Sequence, residues 1–194
     1  PAPGGEPKDG FYLELGNMIT GAGWLTAGPG YRRHVFEGRA IASASGALSV
    51  RLYRMAQGSL EFPHLANNRV TLGAQTIFRD ALQVNYFGLG NDSLESSRSG
   101  YRLRTNDLTA YGSVGGPAFA LRAQIGWLQP LSVGPMGRDA VYPDTVALFS
   151  ERDAPGLEDP PTYLHGAVAL SADTRDYPGH PTSGGSYQVV WSGY

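Results

Sequence analysis

The stretch Val70-Thr71-Leu72-Gly73-Ala74-Gln75-Thr76-Ile77-Phe78-Arg79 decides how this chain is read. Val70, Leu72, Ala74, Thr76 and Phe78 occupy every second position, while Arg69, Thr71, Gly73, Gln75 and Arg79 alternate with them, and only Ile77 breaks the rule. In an extended chain, successive side chains point to opposite faces, so this period of two gathers the apolar set on one face and the Arg and Gln side chains on the other. Such a strand separates an apolar medium from water.

The same pattern extends in both directions. Tyr101–Val114 reads as a strand ending at Gly115-Gly116-Pro117. The next run sets Phe119, Leu121, Ala123, Ile125 and Trp127 against Ala120, Arg122, Gln124 and Gly126. Farther on, Leu164, Val168, Leu170 and Ala172 alternate with His165, Ala167, Ala169, Ser171 and Asp173, and Tyr187, Val189 and Trp191 alternate with Gln188, Val190 and Ser192. Toward the N-terminus, Gly38–Val50 and Arg51–Phe62 form either a long hairpin turning near Ala47–Ser49 or one bent strand. Gly21–Tyr31 is a glycine- and aromatic-rich turn or bent strand, and Phe11–Met18 is the first ordered segment. Residues 1–10 read as a flexible lead-in, with Pro1-Ala2-Pro3-Gly4-Gly5 like a linker or the remnant of processing. Residues 11–194 make one domain of about eight strands.

Composition agrees with an all-β class. Glycine numbers 27 and proline 14, Lys8 is the only lysine, and no stretch holds helical apolar spacing beyond a couple of turns. The apolar fraction is 41% and no run approaches the roughly 18 apolar residues of a membrane helix, but a membrane strand needs only about ten residues with every second one apolar. Connection lengths point the same way. Tight turns at 63–68 and 115–117 alternate with long excursions at 87–100 and 129–162, as in an outer-membrane barrel with long loops on one side and short turns on the other. Trp127 at a strand end suits an interfacial aromatic girdle and equally the rim of a soluble β-sandwich. On this reading Arg69, Gln75, Arg79, Arg122 and Gln124 face a wet lumen, where charge is tolerated.

The chemistry-bearing residues form no catalytic pattern. His34, His64, His165 and His180 lack the spacing of metal ligands. Gly88-Leu89-Gly90 lacks the third glycine and the helix of a dinucleotide loop, and Ser183 and Ser186 near His180 sit in no nucleophile elbow. Absence of cysteine excludes disulfides and thiolate metal sites. The net charge of −2 without a basic run argues against nucleic acid as a partner. The expectation is a protein without cofactor that is not an enzyme.

Two further motifs add a resemblance. Tyr86-Phe87-Gly88-Leu89-Gly90-Asn91-Asp92 and Asp173-Thr174-Arg175-Asp176-Tyr177-Pro178-Gly179-His180-Pro181-Thr182-Ser183-Gly184 resemble the aromatic-Gly-x-Gly-Asn-Asp loop and the Asp-x-Arg-Asp-x-Pro-x-x-Pro-x-x-Gly turn of the bacterial surface-antigen family, the BamA/TamA-type outer-membrane barrels. The resemblance spans most of 70–194 and gives Gly88, Gly90, Asn91, Asp92, Asp173, Arg175, Asp176, Pro181 and Gly184 a structural role. It implies an antiparallel meander forming part of a transmembrane barrel of roughly sixteen strands in the bacterial outer membrane. Because that turn falls near mid-barrel in the family, the chain resembles the N-terminal half. It also implies assembly or translocation of outer-membrane proteins, with a seam that opens to let a client strand pair with an exposed edge. The implied partners are outer-membrane lipid, the rest of the barrel or another chain at the open edges, and client proteins. The family's periplasmic repeats and its Val/Ile-Arg-Gly-Phe/Tyr loop are absent from these residues. The other readings are a passive pore or structural barrel, and a soluble secreted β-sandwich binding module. If the chain is half a barrel, the strands at Phe11–Met18 and Ser186–Tyr194 should each leave an unpaired edge.

Overall fold

A computed structural model describes residues 8–16, 25–91, 93–116, 118–137, 141–177 and 179–194. They form one antiparallel sheet of nine strands: β1 (Gly10–Gly16), β2 (Thr26–Val35), β3 (Ala40–Ser49), β4 (Arg54–His64), β5 (Val70–Tyr86), β6 (Ser99–Gly115), β7 (Phe119–Gly134), β8 (Tyr163–Asp173) and β9 (Ser186–Gly193). Each strand pairs with its neighbours in sequence, so the all-β meander expected from the period-two runs is the observed topology. Among the described residues helix is confined to single turns at α1 (Leu65–Asn68, where Ala66, Asn67 and Asn68 take left-handed φ), α2 (Thr145–Leu148) and a 3₁₀ turn at Glu95–Ser97.

Several boundaries differ from expectation. The strand count is nine rather than about eight, because Thr26–Val35 is a full strand. The Ala- and Ser-rich segment is a hairpin, not one bent strand, and it turns at residues 50–53, beyond Ala47–Ser49. The alternation runs on through Leu48 and Ser49, Leu52 takes a left-handed φ of +61°, and the Ser49 N–H closes the turn on the Tyr53 carbonyl. Strand β7 continues past Trp127 to Gly134, which shortens the long excursion to 135–162. Pro130, which has no N–H, is accommodated beside a bulge where the partners step from Thr105↔Pro130 to Arg104↔Ser132. The first strand is described only to Gly16, and Trp24 and Asp92 lie outside the described residues.

Nine is an odd number, and this has a topological consequence. In a meander, β1 and β9 run in the same direction. Each has one neighbour only, and among the described residues no ladder joins them, so the sheet is not closed into a barrel.

The ladder register carries the alternation across the sheet. One face holds Phe11, Leu13 and Leu15 of β1, Leu60 and Phe62 of β4, Leu72 of β5, Leu108 and Val114 of β6, Leu121, Ile125 and Trp127 of β7, Val168 and Leu170 of β8, and Val189 and Trp191 of β9. Cross-strand partners such as Val114↔Leu121↔Leu170↔Val189 stand in rows. Most of this face is uncovered: Leu170 is 57%, Val189 71% and Trp191 83% exposed. The buried apolar residues are few and mostly alanine, with Tyr53 and Met136 the large ones, and no second layer packs on the apolar face among the described residues. The β-sandwich alternative, which needs two apolar faces packed together, is therefore not what the described residues form.

Connections sort by end. Turns 36–39, 65–69 and 116–118 lie at one end with the twelve residues 174–185, whereas 50–53, 87–98 and 135–162 lie at the other. The longest described connection, 135–162, is at the second end, and the two twelve-residue connections lie at opposite ends.

Candidate functional site

The opposite face of the sheet is polar and concave. Glu61 of β4, Gln75 of β5, Tyr111 of β6, Arg122 and Gln124 of β7 and Gln188 of β9 line one hollow of about 560 Å³. Three of the residues expected on the wet side, Gln75, Arg122 and Gln124, are thereby brought together. Arg79 shares the face but stands farther along β5, outside the hollow. Arg69 lies in the turn before β5, exposed, and its carbonyl accepts the Gly115 N–H across the short-turn end.

Rings that lie flat across glycines organise this face. The Tyr111 hydroxyl donates to Glu61 Oε2 at 2.8 Å, reaching from β6 to β4 over the intervening β5. It can do so because position 73 of β5 is glycine, where a Cβ would stand 2.4 Å from Tyr111 Cζ. The same arrangement recurs on β7: the His165 ring crosses Gly126 to put Nε2 3.0 Å from Asp107 Oδ1, which also accepts the Thr109 hydroxyl at 2.9 Å. These links tie strands two apart and thereby stiffen the sheet's curvature. At the N-terminal edge, Asp9 accepts the His34 backbone N–H at 2.7 Å and lies 2.5 Å from His34 Nδ1. Two histidines therefore pair singly with carboxylates, and no cluster of three or more His, Asp or Glu side chains suited to a metal occurs among the described residues.

The motif residues occupy opposite ends of the sheet. In the β5–β6 loop, Gly88 and Gly90 take left-handed φ values of +104° and +80°, beside an exposed Asn91. In the β8–β9 turn, Arg175 forks onto Asp173, with Nε 2.9 Å from Oδ1 and Nη2 2.5 Å from Oδ2. Asp176 accepts the Thr182 hydroxyl and the N–H groups of Tyr177, Thr182 and Ser183. Those donors, the Thr182 hydroxyl first, hold its carboxyl down at about 2. Gly184 closes the turn with φ +85°, where a Cβ would lie 2.1 Å from the Thr174 carbonyl oxygen. Pro181 is exposed within it. Gly88, Gly90, Asp173, Arg175, Asp176 and Gly184 thus shape their own loops through backbone conformation or local hydrogen bonds.

The excursion 135–162 folds back on the sheet. Thr145 is buried, with its hydroxyl 2.8 Å from that of Ser99; the Tyr86 hydroxyl donates to the Asp153 carbonyl at 2.5 Å; and Phe149 meets the Tyr86 ring edge-on. Glu151 accepts the Glu158 and Gly156 N–H groups, which hold its carboxyl below the ordinary range. Beneath this loop lies an apolar pocket of about 270 Å³ bordered by Leu103, Leu128, Val133, Leu157 and Tyr163.

The ring-over-glycine links and the Asp80–Arg102 pair were not foreseen from sequence. Asp80 accepts Arg102 Nε at 2.7 Å and Nη2 at 2.5 Å, with Arg104 Nε 3.6 Å away. A glycine on the polar face of a strand was the only available signal, and its partner is fixed by register. No protein-family model matches the chain, and no curated protein is similar to it.

Proposed function

We propose that this chain forms part of the wall of a bacterial outer-membrane β-barrel of the surface-antigen type. The observation that supports this most is the uncovered apolar face, continuous from β1 to β9, backed by a polar, hydrogen-bonded face. Water is a poor neighbour for so large a contiguous apolar surface, and lipid is the medium that matches it. From Phe119 to Trp127 the apolar run of β7 covers about 26 Å along the strand. At the 35–45° tilt of such barrels this gives about 18–21 Å of height, within several ångström of the ~25 Å band they carry. Aromatic side chains flank the run at both ends, with Phe119 and Tyr187 toward the short turns and Phe78 and Trp127 toward the long loops.

The open edges give the wall its activity in this reading. Strands β1 and β9 run parallel, so neither self-closure nor closure with a second copy held in the same orientation makes an all-antiparallel barrel. An odd number of further strands, seven in a barrel of roughly sixteen, would restore the even count of bacterial barrels. A seam beside such an edge suits pairing with a client strand, and the implied role is assembly or translocation of outer-membrane proteins. Photoreactive residues in place of Leu13 and Val189, introduced while new outer-membrane proteins are being made, test that role. Adducts with nascent barrel strands are expected; adducts with lipid alone at both positions would refute it and favour a passive barrel.

A further inference from the structure

Above the apolar band, at the long-loop end, the same face turns basic. Arg54 of β4, Asp80 of β5 and Arg104 of β6 are register partners, and Arg102 stands one alternation farther along β6, opposite Gly134. Three guanidiniums thus surround one carboxylate, leaving a local charge of +2. Asp80 is taken up by Arg102, which makes both short contacts. Arg54 is exposed and the Arg104 side chain is 41% exposed, so both present donors outward. Next to them Arg51 and Arg98 line a hollow of about 570 Å³, where Arg98 lies 4.0 Å over the Tyr142 ring.

The level of this patch matters as much as its sign. It begins two residues, about 7 Å, beyond the apolar row that includes Phe78. That is where the headgroups of a lipid leaflet meet the barrel wall. We infer that Arg54 and Arg104, with Arg51 and Arg98 beside them, form a binding site for the phosphorylated glycolipid headgroup of the outer leaflet, an inference that rests on the membrane-wall reading above. Guanidinium forks match phosphate oxygens bidentately, and the neighbouring aromatic ring offers a face to sugar. Asp80 keeps Arg102 fixed as the floor of the site, so the anion meets the two outer arginines.

The test uses the purified protein in detergent micelles and measures retention of lipid A bearing two phosphates by native mass spectrometry. Wild-type protein should retain it, and lipid A stripped of phosphate should be lost. Arg54→Gln and Arg104→Gln should each weaken retention on the order of 5-fold and the pair about 30-fold, from the usual contribution of one arginine at an anionic lipid surface. Arg33→Gln, an exposed position on the same face toward the short-turn end, should change nothing. Inorganic phosphate at millimolar concentration should not displace the lipid. Equal retention of phosphorylated and dephosphorylated lipid, unchanged retention in the double variant, or displacement by inorganic phosphate would each overturn the inference. Quenching of Trp127 and Trp191 by brominated phosphatidylcholine, which carries no net charge, separates its failure from failure of the membrane reading. Quenching without lipid A retention sinks the site alone, and absence of quenching sinks both.

Discussion

Replacing Gly73 by alanine should destabilise the sheet through one identifiable side chain. The new Cβ would stand 2.4 Å from Tyr111 Cζ, 2.6 Å from its hydroxyl oxygen and 2.8 Å from Cε2. Ordinary carbon contacts need about 3.5 Å or more, so the ring must move by roughly 1 Å. That motion takes the hydroxyl out of its 2.8 Å bond to Glu61. Loss of a hydrogen bond to a carboxylate costs about 1.5–3 kcal/mol, while alanine returns about 0.5–1 kcal/mol by restricting the unfolded chain, leaving a net loss of about 1–2 kcal/mol. Urea unfolding in detergent micelles measures it. The decisive comparison is a double-mutant cycle. In a Tyr111→Ala background, Gly73→Ala should be neutral or slightly stabilising, whereas in Tyr111→Phe the ring clash persists and part of the penalty should remain. An equal cost of Gly73→Ala in all three backgrounds would refute the ring-over-glycine argument.

Other consequences are as direct. Arg102→Ala leaves Asp80, 5% exposed in its side chain, with Arg104 at 3.6 Å and the register partner Arg54 as its remaining cations but without its two short hydrogen bonds, and should cost about 1–3 kcal/mol by the same unfolding measurement. Arg102→Ala together with Asp80→Ala should recover most of that loss. The Asp176 carboxyl is lowered from 3.8 to about 2 in the folded turn, so its contribution is fully present above pH ~3.8 and lost as pH falls toward 2. Protection of the Thr182 amide, taken relative to a free amide at the same pH, should fall across that window, and Asp176→Asn should make that protection insensitive to pH there. Ala123, midway along the apolar run of β7, should tolerate arginine poorly, with a loss of about 2–4 kcal/mol in folding into vesicles, while Gln124→Arg should be near neutral.

How much of this was legible in the sequence follows from what each feature depends on. The strands around Val70–Phe78 and Phe119–Trp127 were readable because period two is a local property of the chain, and their faces came with them. Strand β2 was obscured because Gly28-Pro29-Gly30 hides the alternation of Ala27 and Tyr31 with Arg32 and His34. The end of β7 was misplaced at Trp127, since the alternation breaks beyond it and the bulge that accommodates Pro130 is visible only in the ladder. Gln75, Arg122 and Gln124 were assigned to the polar face by alternation alone, and the hollow they share depends on register across β5 to β9. The Tyr111–Glu61 link joins residues fifty apart over a glycine on a third strand, and Asp80 with Arg102 needs the same long-range information. Such contacts are products of the ladder and have no signature within one segment. The turn motifs were legible in the opposite sense: Asp173 is satisfied by Arg175 and Asp176 by Tyr177, Thr182 and Ser183, all within a dozen residues.

Nitroxide labels at positions 121 and 122, one at a time, in protein reconstituted into lipid vesicles, bear on whether this sheet is a membrane wall. Leu121 and Arg122 are adjacent on β7 and point to opposite faces. Collisions with dissolved oxygen, which concentrates in hydrocarbon, should dominate for the label at 121, and collisions with a water-soluble nickel chelate should dominate for the label at 122. Equal access of the chelate to both sites, or the reverse order, would contradict a sheet with lipid on one side and water on the other.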